Sequence, residues 1–268
     1  EEYRDSIHEQ AKSNIEKYYL TEEPGREVLN SAFTHMIRCD SCGGEIPLVR
    51  NWWINKSSGK DAIKPEYNDG SVDFEHIKIN GDSSDSFEPT DGTVSRGGVE
   101  CPHCGVVKET SDIREDIRSG EFEYVIYGVN YEDARGELQF RAGSDVDAQG
   151  LEKAKERLES DFEMVDFLAE PIPDGYNTSQ IKRYGMNEWR DIFTPRQLVT
   201  HYEYLQAFRD HIPEIQQEYD TDKSKAILTI LALSSSRTIE FNCRLAKWRI
   251  RYGTGSRIFT DNNLALKF

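Results

Sequence analysis

Two matched cysteine pairs constrain this chain more than any other feature: Cys39-Asp40-Ser41-Cys42-Gly43 and Cys101-Pro102-His103-Cys104-Gly105. A C-x-x-C spacing lets two thiolates converge on one tetrahedral ion, because the turn between them points backbone N–H groups at the sulfurs. The glycine after each second cysteine accepts a left-handed backbone and keeps the loop small. Two such units predict one closed site made of Cys39, Cys42, Cys101 and Cys104, the two knuckles of a zinc ribbon. The same spacing serves iron in a rubredoxin-like site. A zinc ion held by four thiolates has no open position, so it folds the ribbon and performs no chemistry. The long stretch from Cys42 to Cys101 predicts an insertion, tolerable because loop-closure cost grows only logarithmically with length. Within the second knuckle, His103 is expected to face solvent. The fifth cysteine, Cys243, stands alone on a predicted helix and reads as a small core residue.

Charge sets the next limits. The 268 residues carry 49 acidic against 33 basic side chains, a net charge of −16. The acidic residues are dispersed along the whole chain, the pattern of a surface solvated in concentrated salt, and we expect a halophilic protein. At molar salt the Debye length falls to about 3 Å, so such a surface repels a polyanion little. No segment is long and apolar enough for a membrane span. The first residues, Glu1-Glu2-Tyr3-Arg4-Asp5, have neither signal-peptide nor transit-peptide character. Paired cysteines without an export signal point to metal and a cytoplasmic location. There is no initiator Met, and the chain is expected to be a piece of something longer.

The expected fold class is α+β: a zinc-ribbon β subdomain inserted among helices, with a helical C-terminal half. Residues 1–36 read as N-terminal helices. Ile7, Ala11, Ile15 and Tyr18 or Tyr19 recur at helical spacing, and a second short helix is expected from Arg26 to Met36 after a break at Thr21–Gly25. Residues 37–143 read as the ribbon with its insertion. Expected strands lie in Glu45–Ile54, Val72–Ile79 and Phe122–Val129, with a turn at Asn55–Lys60 and a Gly/Ser/Asp-rich loop over 80–98. One of Trp52 and Trp53 is expected in the core. Residues 144–268 read as the helical region: a helix over 144–170, a polar, aromatic loop over 171–193, a helix opened by Thr194, and a last helix from Thr221 or Asp222 to about Tyr252. Thr194 as N-cap, Pro195 at the first helical position and Gln197 reaching back to the cap form a complete helix start.

Basic residues concentrate in one place. Arg237, Arg244, Lys247, Arg249, Arg251 and Arg257 face only Glu240 between positions 237 and 257. Salt bridges to acidic neighbours would account for them; so would contact with phosphates. Arg196, near a helix start, is a candidate for a phosphate or carboxylate. Lys182 and Arg183 precede the Tyr184-Gly185-Met186 turn, a loop that a target-recognition element would use. The candidate DNA contacts are therefore Lys182, Arg183, Tyr184, Arg196, Arg244, Lys247 and Arg251.

The ordered set of two knuckles, Ile46-Pro47-Leu48-Val49-Arg50-Asn51-Trp52-Trp53, Tyr184-Gly185-Met186 and Asp191-Ile192-Phe193-Thr194-Pro195-Arg196-Gln197-Leu198 resembles zinc-ribbon-containing adenine-specific DNA methylases that carry a DUF1156 region. The likeness runs from about Val28 to the C-terminus. It implies an S-adenosylmethionine-dependent amino-methyltransferase acting on double-stranded DNA, of a kind often encoded in phage-defence or modification loci. Such enzymes bind the cofactor at a Gly-rich turn after a first strand. They hold the target amino group with an Asp/Asn-Pro-Pro-aromatic segment. Here Gly43-Gly44 and Gly97-Gly98 follow no plausible first strand, and there is no Pro-Pro pair. The resemblance therefore implies the middle of a larger α/β methyltransferase, inactive by itself, with S-adenosylmethionine bound only by the full-length enzyme and the catalytic portion as partner. Two alternatives remain: a docking module that touches no DNA, and a stand-alone binding protein that lost its enzyme.

Overall fold

A computed structural model describes residues 1–21, 26–57, 59–79, 87–95 and 97–258. The first helix, α1 (Glu2–Ile15), buries Ile7 and Ala11 against Ala207, and a 3-10 turn over Glu16–Tyr18 sinks Tyr18 among Ala154, Met164 and Val199. The chain then enters β1 (Val28–Arg38), followed by β2 (Glu45–Pro47), β3 (Trp53–Asn55), β4 (Asp61–Asn68), β5 (Ser71–Lys78), and a hairpin of β6 (Gly98–Glu100) and β7 (Val107–Glu109). Helix α2 (Thr110–Ser119) ends at Gly120, which takes φ +82°. Strands β8 (Glu123–Glu132) and β9 (Leu138–Ala142) complete the main sheet. Its order is β2-β1-β8-β9, antiparallel throughout, and β3-β4-β5 forms a second antiparallel sheet. Trp52, Ile54, Ile63, Tyr127 and Phe140 pack together between the two sheets. Trp52 is the buried member of the tryptophan pair, and its indole N–H donates to the Asp91 carbonyl at 3.2 Å.

The segment read as a helix over Arg26–Met36 is instead most of β1, so the expected boundary at residue 36 cuts through a strand. Val28, Leu29, Ala32, Phe33 and Met36 fit helical spacing, but Thr34, His35, Met36 and Ile37 are all buried, as in a strand covered on both faces. Pairing with β8, about a hundred residues later, supplies backbone partners that a short isolated helix cannot match. The β4–β5 hairpin turns on Asp69-Gly70, both at positive φ, the two-residue geometry that Asp-Gly favours. Of the loop expected over 80–98, residues 80–86 and 96 lie outside the described residues; 87–95 run along positions 47–52, where Val94 N–H donates to the Val49 carbonyl at 3.1 Å.

The C-terminal half contains α3 (Asp145–Ser160), α4 (Phe162–Asp166), α5 (Ser179–Lys182), a 3-10 turn over Trp189–Ile192, α6 (Pro195–Glu218), α7 (Thr221–Ile239), and the small pair β10 (Trp248–Arg249) and β11 (Thr254–Gly255). The single helix expected over 144–170 breaks at Asp161, whose carboxylate caps α4. The loop over 171–193 is anchored by buried Ile172, Ile181, Met186, Ile192 and Phe193. Thr194 caps α6 as its sequence predicts, in a reciprocal box with Gln197. The last helix stops at Ile239, not near Tyr252. Ser234, Ser235 and Thr238 return their hydroxyls to carbonyls three or four residues back, which weakens the helix, and beyond it Cys243 and Leu245 enter the core around Ile192 and Leu198. Among the described residues no helix is long and apolar enough to cross a membrane.

Candidate metal centre and a basic cleft

The two cysteine knuckles are built alike. Cys39 closes β1, its N–H donates to the Gly44 carbonyl at 2.9 Å, and its carbonyl accepts from Gly43 N–H at 2.8 Å. Cys101 follows β6, its N–H donates to Val106 at 2.9 Å, and its carbonyl accepts from Gly105 N–H at 2.9 Å. Gly43 and Gly105 both sit at φ +75°. The hairpins face each other so that Cys39 Sγ lies 3.7 Å from Cys104 Sγ, and Cys42 Sγ lies 3.7 Å from Cys101 Sγ. All four sulfurs fall within 4.8 Å of one another. A tetrahedral ion with metal–sulfur bonds of about 2.3 Å needs an edge of about 3.8 Å, so the donor set fits a metal ion and is compatible with zinc. Cys39 and Cys101 are buried; Cys42 and Cys104 are exposed.

Backbone placement also adjusts the thiols. The Cys42 N–H directed at the Cys39 sulfur holds that thiol down at about 7, whereas burial pushes the Cys101 thiol up to about 12. One ligand is therefore ready as thiolate, and another ionises only when an ion replaces its proton. His103 does not face solvent. It is half-buried, its Nε2–H donates to the Glu45 carbonyl at 3.1 Å, and its ring meets Tyr67 edge-on at 5.6 Å. A Cβ on Gly44 would stand 2.5 Å from the His103 ring, so the second knuckle's side chain rests on the first knuckle's backbone. Lys108 ties the same region together through Asp40 at 2.9 Å and Asp116 at 2.6 Å. Behind the sulfurs, Ile37, Ile46, Leu48, Val99, Ile113 and Ile117 form an apolar backing. Cys243 lies apart from the cluster, 1% exposed, and burial pushes its thiol up to about 11, in keeping with a core role.

A cleft of 1570 Å³ opens elsewhere on the same body, lined by α1 and its 3-10 turn, β1, residues 48–53, the start of α6 and parts of 238–255. Among the described residues its cations are Lys12, Lys17, Arg26, Arg50, Arg196, Arg244 and Lys247, and its carboxylates are Glu16 and Glu27. In a chain with 49 acidic and 33 basic residues, that ratio is inverted. Lys12 is paired with Glu27 at 2.5 Å. Arg196 is 6% exposed, its guanidinium stacks 4.5 Å from the Tyr19 ring, and Nη1–H donates to the Tyr18 carbonyl at 3.4 Å. Arg244 is 7% exposed; Nη1–H donates to the Asp191 carbonyl at 2.7 Å and Nη2–H to His35 Nε2 at 2.9 Å, with Tyr124 5.2 Å away. Burial and the neighbouring Arg244 hold His35 well below the usual histidine range, so it accepts this bond as a neutral ring.

The expected DNA contacts divide accordingly. Tyr184, Arg196, Arg244 and Lys247 line the cleft; Lys182, Arg183 and Arg251 do not. Lys182 pairs with Asp174, Arg183 is exposed, and Arg251 lies 5.7 Å from the Tyr252 ring. Arg196 and Arg244 are buried groups already engaged with carbonyls and rings, not free phosphate hooks on a helix surface. The stretch 237–257 is no continuous basic helix, because the chain turns at Ile239. Sequence reasoning missed Lys12, Lys17, Arg26 and Arg50, since folding alone brings the N-terminal helix beside residues 48–53. Comparison with protein-family models, with curated proteins and with solved structures returns no match. The likeness to the methylases therefore rests on the ordered motifs.

Proposed function

We propose that this chain is the zinc-ribbon and DNA-recognition portion of an S-adenosylmethionine-dependent, adenine-specific DNA methyltransferase, with the cofactor and Pro-Pro motifs supplied by other parts of the enzyme. In this reading zinc occupies Cys39, Cys42, Cys101 and Cys104 and acts structurally. The observation that carries the proposal is the cleft: among the described residues seven cations and two carboxylates line it, Arg196 and Arg244 held by carbonyls and rings and Lys12 by Glu27, in an otherwise strongly acidic protein. Phosphates entering such a site release condensed counterions, which makes binding fall with salt.

The test is fluorescence anisotropy of zinc-loaded protein with a forked DNA, which offers both paired and unpaired segments, over a salt series. Binding should weaken linearly on a log–log plot, and Arg50→Gln or Lys247→Gln should each reduce the slope by about 0.7–0.9. Absence of salt-dependent binding would refute the reading. It would favour the second one, a docking module for a partner protein, for which α7 offers Ile230 and Leu233, each 64% exposed.

A further inference from the structure

Among the described residues, five buried side-chain polar atoms have no hydrogen-bond partner: Ser31 Oγ, Asn51 Oδ1, Trp53 Nε1, Arg114 Nε and Arg244 Nε. Four of the five belong to residues that line the cleft. Buried polar groups in folded proteins are almost always paired, and an orphan asks for a specific cause. Arg244 sharpens the point, because it is a cation 7% exposed whose Nε–H is left over after its two Nη groups are bonded. These deficits are not scattered over the molecule as errors of packing would be. Four gather around one cavity, and these include both donors (the indole and guanidinium N–H groups), an amide acceptor and a hydroxyl that does either.

The cleft also has room for more than a compact small molecule. Small-molecule sites usually occupy about 300–1,000 Å³, and 1570 Å³ suits an extended ligand. Its lining interleaves cations with rings: Trp53, Tyr19, Tyr124 and Tyr184 stand among Arg50, Lys247 and the buried arginines. A duplex keeps its base faces stacked and presents phosphates and groove edges. An unpaired strand presents base faces to rings, Watson–Crick edges to polar atoms and phosphates to cations.

We propose that the cleft binds an unpaired strand of nucleic acid, turning the polar edge of one base toward Ser31, Asn51 and the Trp53 indole N–H. This deepens the function proposed above and rests on its claim that the cleft binds nucleic acid.

The experiment measures binding of zinc-loaded protein to a short single-stranded oligonucleotide, to the same strand with its central base removed, and to the same sequence as a blunt duplex. The single strand should bind about tenfold tighter than either, because one stacked base is worth about one decade in affinity. DNA and RNA versions of the strand identify which nucleic acid is the source: preference for DNA supports the proposal and the function it rests on, whereas preference for RNA supports the strand seat and overturns the DNA reading. Trp53→Phe keeps a ring and removes the indole N–H; it should weaken the intact strand about threefold or more and leave the abasic strand unchanged. An unchanged near-ultraviolet spectrum and metal content establish that this variant is folded. Duplex binding as tight as single-strand binding would overturn this inference and leave the proposed function standing. Equal affinity for intact and abasic strands would overturn the base seat. Failure to bind any of the three would overturn both.

Discussion

Removing the ion from the four-cysteine centre should destabilise the whole ribbon by an amount that follows from its spacing in the chain. The cluster joins the Cys39–Cys42 turn to the Cys101–Cys104 turn across a loop of about 60 residues; treated as a cross-link on the unfolded chain, closure of that loop is worth about 4 kcal/mol. For a chain of this size, that corresponds to a fall of roughly 10 °C in melting temperature. The apolar backing of Ile37, Ile46, Val99 and Ile117 loses its anchor at the same time, so about 4 kcal/mol is a lower figure. The assay is urea unfolding followed by tryptophan fluorescence, on protein before and after chelation, with metal counted by elemental analysis. Cys101→Ser should lose the ion and reproduce the chelated midpoint. Cys243→Ser, whose sulfur lies outside the cluster, should keep a full equivalent of metal. Metal uptake at pH 7 should release protons, fewer than four per ion because the Cys39 thiol is held down toward neutral pH. An unchanged urea midpoint after complete chelation, or a full equivalent of metal in Cys101→Ser, would refute the reasoning.

Burial lowers the pKa of both His35 and His201 in the folded state, so protonation favours the unfolded chain. Stability should be full above about pH 6.5 and fall below it, with a limiting slope of about 2.7 kcal/mol per pH unit for the two groups; a urea midpoint that stays flat from pH 7.5 to 5.5 contradicts this. Asp147 is 2% exposed and receives a two-pronged ion pair from Arg141 at 2.5 and 3.0 Å, so Asp147→Ala should cost about 3 kcal/mol in urea unfolding, and a loss below 1 kcal/mol would show the pair to be dispensable. Gly44→Ala places a Cβ against the His103 ring, so it should weaken metal retention in a chelator competition although all four cysteines remain. Retention equal to the parent protein would show that the contact between the knuckles does not position the sulfurs.

What could be read in advance was local. The knuckles were legible because a C-x-x-C-G turn specifies its own backbone, and the start of α6 because Thr194, Pro195 and Gln197 satisfy one another within a single turn. The Asp69-Gly70 hairpin carried an equally local signal that went unread, and it would have revealed β4. The Arg26–Met36 segment failed because its apolar spacing fits both a helix and a strand, and only a partner strand distant in sequence chooses between them. The cleft was partly visible through Arg196 at the start of α6, and through Arg244 and Lys247, which were read as a charge run on a longer last helix than the one that forms.

The amino-acid order by itself determined the four cysteines of the candidate metal centre, the acidic character of the chain and the start of α6, since each depends on neighbours a few residues away. Only the tertiary structure decided that the two knuckles meet at 3.7 Å, that His103 locks one to the other, and that cations from four separate segments share one cleft. The reason is physical: those contacts join groups tens to hundreds of residues apart, and their energies exist only once the sheets and helices between them have packed.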